Sequence, residues 1–190
     1  MAKNIDARIL KSQTAIIHAG MDLLRKNSET TLSEIAQQAG VGRTTLYRLY
    51  ETKEQLIKAI AIHCLETFDL ATQHLDDQSN SAIEAFYLMF KAILPLEAEL
   101  EFLMKLGDIA EDDPELVSIY QQHQDEIAEL VEYAKQEGSI ETSIPTIWIV
   151  NLIEGLFYSS WLTMNDSDLS VEALANLMYQ TLCQGIEKKS

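Results

Sequence analysis

The chain has 190 residues, 47% of them hydrophobic, with only 7 glycines and 3 prolines. That composition gives an ample core and long uninterrupted segments, which predicts an all-α protein. The formal charge of −16 argues at first sight against a nucleic-acid partner; no run of about 18 apolar residues free of charge occurs, so no membrane span is expected. The N-terminus lacks the apolar core and cleavage site of a signal peptide, and the expected location is the cytoplasm.

Residues 5–27 predict one amphipathic helix, with Ile9, Ile16, Leu23 and Leu24 as its apolar stripe and Ala15 and Ala19 beside it. Asn27-Ser28 breaks it. Two short helices follow over 32–39 and 43–50, and a fourth starts after Thr52 and runs to about Gln73. Residues 76–81 form a polar linker. Further helical patterns cover about 82–94, 96–109, 114–137, 145–164 and 170–187, separated by Pro95, by Glu111-Asp112-Asp113-Pro114, and by Glu137-Gly138 through Pro145. Pro114 and Pro145 stand where a first helical turn tolerates a missing N–H.

The charge is unevenly spread. Residues 1–58 carry nine lysines and arginines against six acids, a net of +3, while the remainder carries five against twenty-four, a net of −19. A basic head on an acidic body is compatible with DNA binding at one end. Cys64 and Cys183 form no CxxC pair. His63-Cys64, and His74 with Asp76-Asp77, lack a convincing ligand spacing, and His18 and His123 stand apart, so no metal or cofactor is expected.

The stretch 31–53 is the informative one. Thr31 and Glu34 have the spacing of a capping box, and Ile35, Ala36 and Ala39 then point inward. Gly40 can take the left-handed conformation that ends a helix, Val41 plugs the turn, and Gly42 can cap the next helix. A second helix beginning three residues after the first ends is what a helix-turn-helix requires. In that second helix Thr45, Leu46 and Leu49 face inward. Arg43, Thr44, Tyr47 and Arg48 face outward at i, i+1, i+4 and i+5, with groups that suit guanine edges, thymine methyls and phosphates. Thr52 and Gln55 repeat the capping spacing, and Lys53 in the first turn beyond is placed for a phosphate. Tyr50 suits core or phosphate.

Ala39-Gly40-Val41, then Thr45-Leu46-Tyr47-Arg48-Leu49-Tyr50, then Lys53-Glu54-Gln55-Leu56 resemble the signature of the TetR family of transcriptional repressors. The resemblance covers about residues 8–60. It implies a three-helix DNA-binding head over 1–52, an effector-binding and dimerisation body over 53–190, and a homodimer released from a palindromic double-stranded DNA operator by a small-molecule effector. Family DNA contacts fall on Thr31, Arg43, Thr44, Thr45, Tyr47 and Lys53, with Arg48 and Tyr50 as further candidates. Three positions depart from the pattern. Gly42 stands where a serine-like cap is common, Leu49 where a histidine often contacts phosphate, and Ser33 where a basic residue is frequent.

In the body, 145–164 is apolar on nearly all sides, which predicts burial on two faces, one against the core and one against a partner subunit. With the helix at 170–187 the family resemblance implies a four-helix dimer interface through Ile153, Leu156, Phe157, Trp161, Leu174, Met178 and Leu182; the alternative is an ordinary monomeric core. Aromatic candidates for an effector cavity are Phe86, Phe90, Phe102, Tyr120, Trp148 and Tyr158, with Met104 beside them. His63, Thr67, Asn151 and Glu154 are the polar candidates. The body's charge mildly favours a cationic or neutral effector over an anion, but a solvated acidic surface gives the same charge with no ligand meaning and is the favoured reading. The alternatives are a helical protein–protein interaction module and a regulator without a small-molecule effector. HExxH, GxSxG, P-loop and GxGxxG patterns are absent, so no enzyme is expected.

Overall fold

The computed structural model describes residues 2–106 and 113–186; the expected helical positions 107–109, the acidic pair at 111–112 and residue 187 lie outside them. The described residues form an all-α protein. Its helices are α1 (Ala2–Leu24), α2 (Leu32–Gln38), α3 (Arg43–Leu49), α4 (Lys53–Thr72), α5 (Leu75–Gln78), α6 (Ala82–Ile93), α7 (Glu97–Lys105), α8 (Pro114–Glu137), α9 (Thr146–Asp166) and α10 (Val171–Ile186). The short α5 lies inside the stretch expected as linker: Leu75 packs against the body core, which holds one turn in place.

The head is α1–α3 closed by the first half of α4. Ile16, Ile35, Leu46, Leu56 and Ile60 are fully buried at its centre. Gly20 lets α1 approach α4, because a Cβ there would lie 2.9 Å from Ile60 Cδ1. Local chemistry sets the corners. Thr31 Oγ1 accepts from the Glu34 amide, and the Glu34 carboxylate accepts from the Thr31 amide at 2.7 Å, a complete capping box. Gly40 ends α2 at φ 65°, and the Val41 amide closes the turn onto the Ala36 carbonyl at 3.0 Å. Thr52 caps α4 by accepting from the Gln55 amide. Cys64 is buried against Met21, and burial pushes its thiol up to about 12, so it acts as a small hydrophobe.

The body packs α6, α8, α9 and α10 around Phe86, Phe90, Ile149, Ile153, Val131 and Leu182. Phe90 and Phe157 meet edge to face at 5.6 Å. The Asp113 carboxylate caps α8 by accepting from the Glu115 and Leu116 amides, with Pro114 in the first turn. Gly138 ends it at φ 83°, and the Ser139 amide returns to the Ala134 carbonyl. No helix among the described residues is long and apolar enough to cross a membrane.

Two ties join head to body. Arg25, just past α1, pairs with Glu101 of α7, and Lys105 donates to the Arg25 carbonyl at 2.9 Å. Lys58 of α4 pairs with Asp113 and Glu115 at the start of α8, at 3.0 and 2.6 Å. Thr31→Ala, which removes the α2 cap, and Gly138→Ala, which strains a left-handed residue, should each cost about 1 kcal/mol. Gly155→Ala, whose added Cβ meets nothing within 4 Å, should not destabilise the protomer; urea midpoints at one protein concentration compare the three.

Candidate functional site

The outer face of α3 is built by the inner one. Leu46 is fully buried and Thr45 and Leu49 are half-buried, so the helix is held by that side. The opposite side leaves Arg43, Thr44, Tyr47 and Arg48 exposed. None of the four has a hydrogen bond or ion pair to another described side chain. The groups stand ready for an external partner, at the width of a helix that the DNA major groove admits.

The flanking candidates are tied down. Thr31 is exposed, but its hydroxyl is already bonded to Glu34 at 2.7 Å. Lys53 Nζ donates to the Ser28 carbonyl, which holds the lysine along the head surface. Tyr50 is only 8% exposed and belongs to the head core; burial raises its pKa, so only the phenol's edge remains for solvent. Of the nine basic residues that make the head positive, Arg25 and Lys58 turn toward acids of the body. The charge available beyond the body is carried by the others.

A cavity of about 1290 Å³ opens between α4, α6, α7 and α8. Of the effector candidates, Tyr120 and Glu154 line it. The Glu154 carboxylate is half-buried and accepts from Tyr120 Oη at 2.7 Å and from Gln124 Nε2 at 2.9 Å. Both donors are neutral, so the carboxylate's charge is not cancelled; burial, followed by this bond, raises the Tyr120 pKa.

The other candidates sit one helix face away. Phe86 and Phe90 are fully buried toward α9 and α10, whereas α6 turns Ala82, Ala85, Met89 and Ile93 to the cavity. His63 stacks edge-on against His18 at 5.3 Å, and the Thr67 hydroxyl donates to the His63 carbonyl at 2.7 Å. The cavity face of α4 is instead Ala61, Leu65, Phe68, Asp69 and Thr72. Phe102 is buried in the head-side core, and Met104 reaches the cavity. Trp148, Asn151 and Tyr158 are exposed on the outside of α9.

Sequence reasoning passed over Asp69, Gln124, Glu126, Glu129 and Tyr133 and set His123 aside as standing apart; all six are in the cavity wall. A signal exists in α8. The face that should be an apolar stripe, at 120, 123, 124, 127 and 130, carries a tyrosine, a histidine and a glutamine before the Ile127 and Leu130 that complete it. A polar interruption of a buried stripe marks a wetted wall.

The subunit contacts expected on α9 and α10 shift in the same way. Ile153 and Leu182 are fully buried, and Phe157, Leu174 and Met178 are at most 7% exposed, all inside the protomer core. They have no surface left to offer a partner, because α9 and α10 use that face to cover α6. Leu156 and Trp161 are half-buried against the same core. The outward face of α9 holds Trp148, Asn151, Gly155, Tyr158 and Leu162, at 64% exposure for Trp148 and 48% for Tyr158, and α10 adds Leu177 at 53%.

Residues 16–60 match the model of the bacterial regulatory proteins of the tetR family. The chain is 28% identical over 127 residues to the HTH-type transcriptional repressor LfrR of Mycolicibacterium smegmatis, with 67% of each chain covered. It is similar in fold to the crystal structure of LfrR in complex with proflavine, with a TM-score of 0.78 at 24% identity over 96% of this chain and 99% of that one. FadR of Bacillus subtilis in complex with stearoyl-CoA gives a TM-score of 0.72 at 21% identity, covering 91% and 98%. With a helix-turn-helix head that matches the tetR-family model over residues 16–60 and an all-α fold similar to that of LfrR, the chain resembles the TetR family of transcriptional regulators.

Proposed function

We propose that the chain is a homodimeric repressor that holds a palindromic operator and releases it when an organic cation enters the cavity. The observation that carries the DNA reading is the outer face of α3, with Arg43, Thr44, Tyr47 and Arg48 exposed and unpartnered on a helix locked by capped neighbours. Arg43, in the first turn, serves as the base reader, and Lys53 as a phosphate contact that exchanges the Ser28 carbonyl for an anion.

The dimer reading rests on α9. Trp148, Asn151, Gly155, Tyr158 and Leu162 recur at alternating steps of three and four, the seam spacing of packed helices. The seam is exposed and largely apolar in the protomer. A two-fold axis through it would set two heads about one DNA turn, ~34 Å, apart.

The cavity supports the effector reading. Among the described residues, the acids that line it are Asp69, Glu126, Glu129 and Glu154, and no lysine or arginine does. Phe68, Tyr120, Tyr133 and Phe157 add aromatic walls. Aromatic faces and carboxylates together attract a flat cation. They disfavour a polyanionic ligand such as the stearoyl-CoA held by the B. subtilis FadR, and they agree with the proflavine held by LfrR. Glu154, oriented by two neutral donors, is the counter-charge. Release follows from α4 and α7: both line the cavity, α4 completes the head core, and α7 is tied to Arg25. A ligand that spreads them rotates the head.

Arg43→Ala should lower operator affinity by about 1–3 kcal/mol and relax one base position, while Lys53→Ala should weaken all sequences alike and reduce the salt slope by about 1; binding titrations at several salt concentrations separate them. The wild-type chain should sediment as a dimer at micromolar concentration and a Trp148→Glu, Leu162→Glu double variant as a monomer; a monomeric wild type would end the dimer reading. Proflavine should lower operator affinity 5- to 150-fold, roughly the usual range of allosteric coupling. Glu154→Gln should weaken proflavine about tenfold but leave its neutral analogue acridine unchanged, since only the charged ligand meets the carboxylate as an ion; equal proflavine binding by Glu154→Gln would remove Glu154 from that role.

A further inference from the structure

The cavity wall holds a donor set that the counter-charge role of Glu154 leaves unused. Asp69 of α4 meets His123 and Glu126 of α8 there. His123 Nδ1 lies 3.1 Å from Asp69 Oδ1, and one ligand atom from each of the three lies within 4.8 Å of the others. His123 and Glu126 are three residues apart on one helix and so project from the same face, while α4 packs against that face. All three line the cavity. Among the described residues no lysine or arginine pairs with any of them.

An ion pair accounts for Asp69 and His123 but not for Glu126. Glu126 sits beside a carboxylate that repels it, its one side-chain bond being from the neutral Gln122 amide at 3.1 Å. Two carboxylates and an imidazole held together without a lysine or arginine suit a cation.

We infer that Asp69, His123 and Glu126 form a binding site for a divalent transition-metal or zinc ion, with its remaining coordination positions open to the cavity. One imidazole nitrogen and two carboxylate oxygens suit Zn²⁺ or Co²⁺, whereas Mg²⁺ and Ca²⁺ prefer oxygen alone. Bonds of about 2.0–2.2 Å place ligand atoms roughly 3.3–3.5 Å apart in a tetrahedral site. The Asp69–His123 distance is near that spacing already, and the exposed Glu126 closes by side-chain rotation. Such an ion would clip the far end of α4 to α8, whose start already holds α4 through Lys58. It would also neutralise part of the acidic wall and oppose a cationic effector. That opposition rests on the effector reading above; the metal site does not.

The test uses the full chain and Co²⁺, whose visible bands strengthen on entering a site of low coordination number. One equivalent should bind, Zn²⁺ should displace it, and Zn²⁺ should raise the melting temperature by several degrees. His123→Ala and Asp69→Asn should abolish the bands. Glu126→Gln, which leaves the Asp69–His123 pair in place, should weaken binding about tenfold and decides the matter if the other variants fail to fold. No bands at millimolar Co²⁺, or equal affinity in Glu126→Gln and a folded His123→Ala, overturns the site. Proflavine affinity should fall when Zn²⁺ is bound; an unchanged affinity removes the opposition while leaving the metal site standing.

Discussion

One helix belongs to two cores at once, and the rest of the molecule depends on that constraint. The first three turns of α4 bury Leu56, Ile57, Ile60 and Cys64 against α1–α3, and without them the head has no floor. The later turns offer Leu65, Phe68 and Asp69 to the cavity. A rigid helix of 20 residues, roughly 30 Å long, cannot have its body end displaced while its head end stays still. The close approach permitted by Gly20 makes the head follow α4 as a unit. In the proposed function, coupling between ligand and DNA needs no special pathway, only a shared helix packed at both ends.

Charge is organised around the same element. In the proposed function the acidic body disfavours DNA everywhere except at the head, which orients the molecule on approach. Part of the head's positive charge is turned inward: Arg25 and Lys58 bind body acids and fix where α1 and α4 meet α7 and α8. These are partly exposed pairs, so their contribution is mainly geometric. The cavity repeats the theme in reverse. Its carboxylates lie beside aromatic walls, and in the proposed effector role their negative charge selects the sign of the ligand.

Features that depend on a few neighbouring residues could be read directly. The Thr31–Glu34 box, the left-handed Gly40 and the Thr52 cap each involve groups within four residues of one another, and each stands as its spacing suggests. The inner and outer faces of α3 followed from periodicity because a single apolar stripe, centred on Leu46, had one possible burial. The faces of α6 and α9 did not follow. Both helices are apolar on more than one side, so periodicity leaves the rotation open. Packing against α10 and α8 then selected Phe86 and Phe90 for the core and Met89 and Ile93 for the cavity, and buried Ile153 and Phe157 while leaving Trp148 and Tyr158 outside.

The sequence by itself determined the all-α class, the order and ends of nearly all helices, and the helix-turn-helix with its presented side chains. The reason is that capping, turn formation and one-sided amphipathicity are short-range. Only the tertiary structure decided which walls enclose the cavity, which face of α9 is free, and that Asp69 meets His123 across two helices. Those outcomes depend on how apolar helices rotate and stack. That is set by the mutual fit of side chains far apart in the chain, which no local spacing records.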